Sequence, residues 1–131
     1  MAPPNYDNKQ QDHRVSSIAK RRLIDATQHS IAGLTACFKH EEAFRIQVLI
    51  ASIALPSIYW VADNVIEGLL LFLVIALVLL TELINSAVEA AVDRVGTDFH
   101  PLSKRAKDAA SAAVFIALLL AGLTWLILLF N

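Results

Sequence analysis

Apolar positions along this chain fall into four patterned stretches. From about residue 16 to residue 40 they recur at helical spacing. At 100° per residue Leu23, Ile24, Thr27, Ile31, Leu34 and Phe38 share an arc of about 100°, while Arg21, Arg22, Asp25 and His29 project from the other side. This spacing predicts an amphipathic helix lying in a membrane interface, with the basic run at 20–22 facing anionic headgroups. Three nearly continuous apolar runs follow, at about 46–62, 66–95 and 109–130, and each predicts a membrane-spanning helix. The first is short for a hydrocarbon core of about 30 Å and contains Pro56, which spanning helices tolerate better than soluble ones. The second is longer than the core requires, so about ten of its residues must project beyond the hydrocarbon, with Gly96 as the expected cap. The third opens on the small residues 109–113, which suit close helix contact. Residues 1–14 contain two prolines and no periodicity and predict a flexible tail, leaving 15–131 as one domain. The expected fold class is an all-α membrane protein, with one surface helix and three spans per subunit.

Composition agrees with that reading. The chain has 131 residues, 56% of them apolar, and a mean hydropathy of +0.57, too greasy for an ordinary soluble domain. Its eleven Lys and Arg lie between Lys9 and Arg45 or between Arg94 and Lys107 and nowhere else. The turn at Asp63, Asn64 and Glu67 carries only acid, so the positive-inside rule puts the N-terminus and the 94–107 loop in the cytoplasm and the C-terminus outside. Tyr59 and Trp60 mark the far interface of the first span. No apolar run of signal-peptide type opens the sequence, so the spans themselves are expected to anchor the protein. Cys37 is the single cysteine, which excludes an intrachain disulfide and argues against a zinc site; it reads as a small apolar helix residue. No nucleic-acid partner is expected.

The candidate chemistry lies in the second span. Glu82, Asn85, Glu89 and Asp93 are separated by 3, 4 and 4 residues, which places them within an arc of about 80° on one helix face. Glu82 is expected just inside the hydrocarbon, Glu89 near the headgroups and Asp93 in water, with about 10 Å of rise from Glu82 to Glu89. An ionised carboxylate in the apolar zone costs at least about 2.5 kcal/mol, so an intramembrane glutamate is a functional candidate. Carboxylate oxygens suit Mg²⁺, which takes one or two of them together with substrate phosphates, and Glu89 fits that role. Glu82, deeper and desolvated, is placed to accept a proton from a lipid hydroxyl. The segment TDFHPLSKRAKD adds Arg105 and Lys107 to neutralise phosphate charge, with Asp98 and His100 as polar contacts. The structural alternative is helix-to-helix adhesion, through hydrogen bonds within the bundle or ion pairs with Lys104, Arg105 or Lys107. The four glycines are isolated, so neither GxxxxGK(S/T) nor GxGxxG can be built, and any ATP site is of an uncommon type.

The run ELINSAVEAAVDRVGTDFHPLSKRAKDAASAAV, Glu82 to Val114, resembles the signature of the prokaryotic diacylglycerol kinases, small homotrimeric membrane enzymes. HEEAFR at His40 to Arg45 resembles their second block, and the likeness extends from about Arg22 to the C-terminus. The resemblance implies transfer of phosphate from ATP to 1,2-diacylglycerol at the cytoplasmic face of a bacterial inner membrane, with Mg²⁺ as cofactor. It implies Glu82 as general base, and Glu41 with Glu89 as holders of the metal on ATP. It further implies Asn85 and Asp93 as supporting groups, and Lys107 with Asp108 at the nucleotide. Arg22, His29, Asp98 and His100 correspond to further nucleotide contacts, and Arg22, Trp60 and Ser111 to lipid contacts. Lys104 stands where many Gram-negative members have glycine, and HPLSK also resembles the undecaprenol kinases, so undecaprenol is a second acceptor to weigh. A non-catalytic oligomeric subunit or proton-conducting bundle is the rival from another class. Against it, nothing ionisable occurs between Gly68 and Leu80, so a pathway through the membrane would be interrupted.

Overall fold

The computed structural model describes residues 6–96 and 98–130, with side chains from residue 20 onward. Four helices follow in order: α1 Tyr6–His40, α2 Glu42–Val61, α3 Val65–Asp93 and α4 Pro101–Leu129. Among the described residues there is no strand. The last three helices are long and apolar enough to cross a membrane. The chain divides into two units, Met1–Ala36 and Cys37–Asn131.

In the first unit the helix begins well ahead of residue 16, at Tyr6. Beyond Pro4 the sequence has neither proline nor glycine until Gly33, so no residue type interrupts helical hydrogen bonding there. Of the expected tail, residues 1–5 lie outside the described residues. Leu23, Ile24, Ile31 and Leu34 are all exposed, as are the polar side chains on the other side of the same segment. The hydroxyls of Thr27, Ser30 and Thr35 each donate to the carbonyl four residues back, at 2.7–2.8 Å. Such bonds satisfy the hydroxyls within the helix by sharing backbone acceptors, at a slight cost in helix stability.

The second unit is organised by α3, which packs against both α2 and α4. Its buried side chains Leu71, Ile75, Val78 and Glu82 recur at steps of 4, 3 and 4, a single stripe. Asn85, Glu89 and Asp93 continue that stripe toward the C-terminal end, so one helix face passes from aliphatic core to carboxylate without a break. Phe44 and Ala51 of α2, Ala117 of α4 and Cys37 complete the buried set. Most other large apolar side chains, including Leu49, Ile53, Leu73, Phe115 and Leu119, are exposed. In water so much exposed hydrocarbon would drive aggregation, whereas in a bilayer it faces its own kind of solvent.

Local signals fix the turns. Glu41 is extended and separates α1 from α2, and the Arg45 guanidinium reaches back to the carbonyls of Phe38 and Lys39 at 3.3 and 3.1 Å, satisfying two acceptors at the end of α1. At the other end of α2, Asn64 Oδ1 accepts from the amides of Ile66 and Glu67, while the Glu67 carboxylate accepts from Asp63 N and Asn64 Nδ2. This reciprocal cap starts α3. Two expectations need correction. Gly96 does not cap α3 in a left-handed conformation, because no described residue has positive φ; the cap is Arg94, in right-handed helical geometry. The expected loop 94–107 is shorter than read, since α4 begins at Pro101, where proline suits the first helical position and His100 Nδ1 accepts from Leu102 N at 3.2 Å. The segment PLSKRAK therefore forms helical turns below the span.

Candidate functional site

Glu82 is the one buried acidic or basic side chain among the described residues, with 4% of its surface exposed. Its Oε2 accepts a 2.8 Å hydrogen bond from Gln47 Nε2 on α2. This bond joins α2 and α3 where the neighbouring buried side chains are otherwise apolar. The spacing of carboxylates does not point to Gln47, whose one signal in the sequence is that of a lone amide in the apolar run 46–62. Its Oε1 is buried and finds no hydrogen-bond partner among the described residues.

One turn further along α3, Asn85 Nδ2 donates to Glu89 Oε1 at 3.1 Å, and Asn85 Oδ1 is likewise buried without a partner. Asp93 pairs with Lys107 of α4 at 2.6 Å. The contacts of the adhesive alternative are thus present at both ends of the column, as the Glu82–Gln47 hydrogen bond at the buried end and the Asp93–Lys107 pair at the exposed end. Lys107 lies ahead of the apolar run of α4, and the hydrogen bond it donates to Asp93, helped by the charges of Asp93 and Glu89, raises its pKa above the ordinary lysine value. It stays cationic at any physiological pH. Lys104 and Asp108 form an exposed pair one turn apart on α4. The four column residues therefore form three separate polar contacts and no continuous chain.

The remaining candidates lie at the edges of this arrangement. Glu41 sits half-buried between α1 and α2, and its side chain makes no capping bond. Asp98 and His100 are exposed in the α3–α4 connection, and Ser111 is exposed on α4. Trp60 is exposed and stacks edge-on against Tyr59, centroids 5.5 Å apart, an amphipathic pair suited to a headgroup belt. Arg22 and His29 belong to the first unit, where both are exposed. Cys37 is buried as a small helix residue, and its Sγ lies 3.3 Å from Ser86 Oγ on α3. Below Gln47, residues of α2, α3 and α4 enclose a groove of about 310 Å³ whose lining is aliphatic apart from Gln47 and the indole of Trp125.

Among the described residues no three His, Cys, Asp or Glu side chains converge on a metal position. The donor set fits a hard cation that brings most of its own ligands. Glu89 is the carboxylate in the column suited to such a cation, whereas Asn85 Oδ1, without a hydrogen-bond partner among the described residues, is buried.

Fold and site together define a small helical membrane protein whose carboxylates run along one face of α3, from the buried Glu82 to the exposed Asp93. The model of the family described as prokaryotic diacylglycerol kinase matches residues 28–129. The diacylglycerol kinase of Haemophilus influenzae is 47% identical over 103 residues, covering 79% of this chain and 87% of that protein. That of Pseudomonas aeruginosa is 45% identical over 105 residues, covering 80% and 85%. The Escherichia coli K12 protein of the same name is 43% identical over 110 residues, covering 84% and 90%. The chain belongs to the prokaryotic diacylglycerol kinase family and is a lipid kinase of a bacterial membrane.

Proposed function

We propose that this protein transfers the γ-phosphoryl group of ATP, as its Mg²⁺ complex, to the free hydroxyl of 1,2-diacylglycerol, giving phosphatidate and ADP. The reaction runs at the cytoplasmic face of the inner membrane, with the N-terminus inside, the C-terminus outside and the working unit a homotrimer. The observation that carries this reading is the buried Glu82 carboxylate, tied to Gln47 among apolar neighbours, on the same helix face as the more exposed Glu89.

The roles divide by depth. The acceptor hydroxyl, held by its lipid body at the level of the glycerol backbone, presents its proton to Glu82. As the alcohol oxygen bonds to the γ-phosphorus, the bond from that phosphorus to the β,γ-bridging oxygen breaks, ADP leaves and the proton rests on Glu82. Glu89 and Glu41 are the carboxylates that would hold the magnesium, which when bound offsets the charge of the phosphates. Asn85 orients Glu89 through its amide hydrogen bond. Lys107, held by Asp93, offers a cation to the phosphates, with Asp108, His100, Asp98, His29 and Arg22 as further nucleotide contacts. Trp60, Ser111 and Arg22 meet the lipid.

The test is transfer of labelled γ-phosphate from ATP to dioleoylglycerol and, separately, to undecaprenol, by the purified protein in mixed micelles. Labelled phosphatidate is the expected product. Label appearing only in undecaprenyl phosphate would move the acceptor to the polyprenol, and no transfer to either lipid would overturn the assignment.

A further inference from the structure

We propose that Gln47 is a positioning residue for Glu82: its side-chain amide holds one carboxylate oxygen in place and leaves the other to take the proton of the acceptor hydroxyl. This rests on the reading of Glu82 as the base and adds what aims it.

Packing fixes both members of the pair. On α2, Gln47 lies three residues after the buried Phe44 and four before the buried Ala51, so it belongs to the face that meets α3. On α3, Glu82 continues the buried stripe of Ile75 and Val78. The 2.8 Å bond from Gln47 Nε2 engages Glu82 Oε2 alone. Glu82 Oε1 accepts no hydrogen bond among the described residues, yet unlike Gln47 Oε1 and Asn85 Oδ1 it is not sealed from outside. One oxygen is tethered and the other is free, the division that a directed base requires.

Adhesion does not explain the choice of an amide. In this geometry Gln47 Oε1 is buried without a donor, a cost that an apolar side chain would not incur. The amide is retained despite that cost, and its one bond goes to the base. Its neutrality matters as well. A lysine or arginine in this place would favour the carboxylate anion and oppose uptake of the proton. No Lys or Arg occurs between Ile46 and Asp93, and the ion pairs of the described residues, Lys104–Asp108 and Lys107–Asp93, leave Glu82 out. An amide N–H can donate to Oε2 of the carboxylate and equally to Oε2 as the carbonyl oxygen of the acid, once Oε1 carries the proton. The tether therefore survives the transfer that it directs.

The test is a double-mutant cycle on dioleoylglycerol and ATP in mixed micelles. Gln47→Met keeps the length of the side chain and lacks the N–H. Gln47→Asn keeps the amide and its polarity but is one methylene short of Oε2. Each is measured in the parent and in the Glu82→Gln protein, with thermal midpoints to confirm that every variant is folded at the assay temperature. In the parent, each is expected to lower kcat about tenfold, with KM for ATP and for dioleoylglycerol changed less than about twofold. On the residual turnover of Glu82→Gln, which has no base to aim, either should change kcat by less than about twofold. A proportionate loss in both backgrounds would give Gln47 a merely structural role and overturn the proposal. So would a parental kcat in Gln47→Met, a loss with Gln47→Met that Gln47→Asn does not share, or a loss confined to KM. Glu82→Gln with parental kcat would overturn the base reading and this proposal with it, whereas an impaired Glu82→Gln beside a parental Gln47→Met would overturn the positioning role alone.

Discussion

At the scale of single residues, the chemistry turns on what Glu82 is for. It is buried on the stripe that Leu71, Ile75 and Val78 also occupy, so its carboxylate was placed where the core expects a leucine. Adhesion between α2 and α3 would account for the bond to Gln47, but an amide would serve adhesion as well as an acid does. Glu82→Gln separates the two roles, since it keeps volume and hydrogen-bonding capacity and loses only the ability to take a proton. The expected result is a fall in kcat of about 10²-fold or more, little change in KM for ATP, and an unchanged thermal midpoint. A stable variant with parental kcat would remove Glu82 from the mechanism and pass the proton to Asp93 or to water. The column itself was legible in the sequence, because carboxylates at steps of 3 and 4 in an apolar run have a fixed geometry on a helix. Gln47 was not, because a sequence gives the face on which a side chain lies but not which helix that face meets.

At the scale of helices, the ends of α3 do different work. Its N-terminal end carries the Asn64–Glu67 cap, and its C-terminal end carries Glu89 and Asp93. Asn64→Ala removes the side-chain acceptor for two backbone amides and is expected to lower stability by about 1 kcal/mol, read as a lower thermal midpoint. The kcat at temperatures below unfolding should not move, because the cap and the carboxylates lie at opposite ends of a 29-residue helix. A fall in kcat without loss of stability would instead tie this turn to the lipid site. The spans were readable since apolar length alone identifies a crossing helix, but hydropathy marks where apolar residues begin and not where helical hydrogen bonds begin. For that reason α4 starts at Pro101, ahead of the apolar run, and α1 extends back to Tyr6 through polar residues. The extra turns of α4 have a consequence for the site, since they carry Lys107 on a helix and hold it against Asp93.

At the scale of the whole molecule, the unit Cys37–Asn131 is thin for the work assigned to it. Its α4 buries only Ala117, and the large apolar residues that line its length are exposed. Three helices line a groove of about 310 Å³, but nucleotide and metal need more donors than the column offers, since no three acidic or imidazole groups converge among the described residues. A homotrimer resolves this shortage if each site takes Glu82 and Glu89 from one chain and Glu41 from its neighbour. The arrangement predicts complementation between two inactive proteins. Glu82→Gln and Glu41→Gln chains, each inactive alone, are mixed at equal amounts, unfolded to monomers in denaturing detergent and reassembled. In a random mixture a site built across one subunit boundary receives both intact glutamates in about one case in four, so about a quarter of parental activity should return. If both glutamates of a site came from a single chain, every site would carry one defect and no activity would return, however well the chains mixed. Cross-linking of differently tagged chains verifies the mixing, so that silence in confirmed mixed oligomers would place Glu41 and Glu82 in the same subunit.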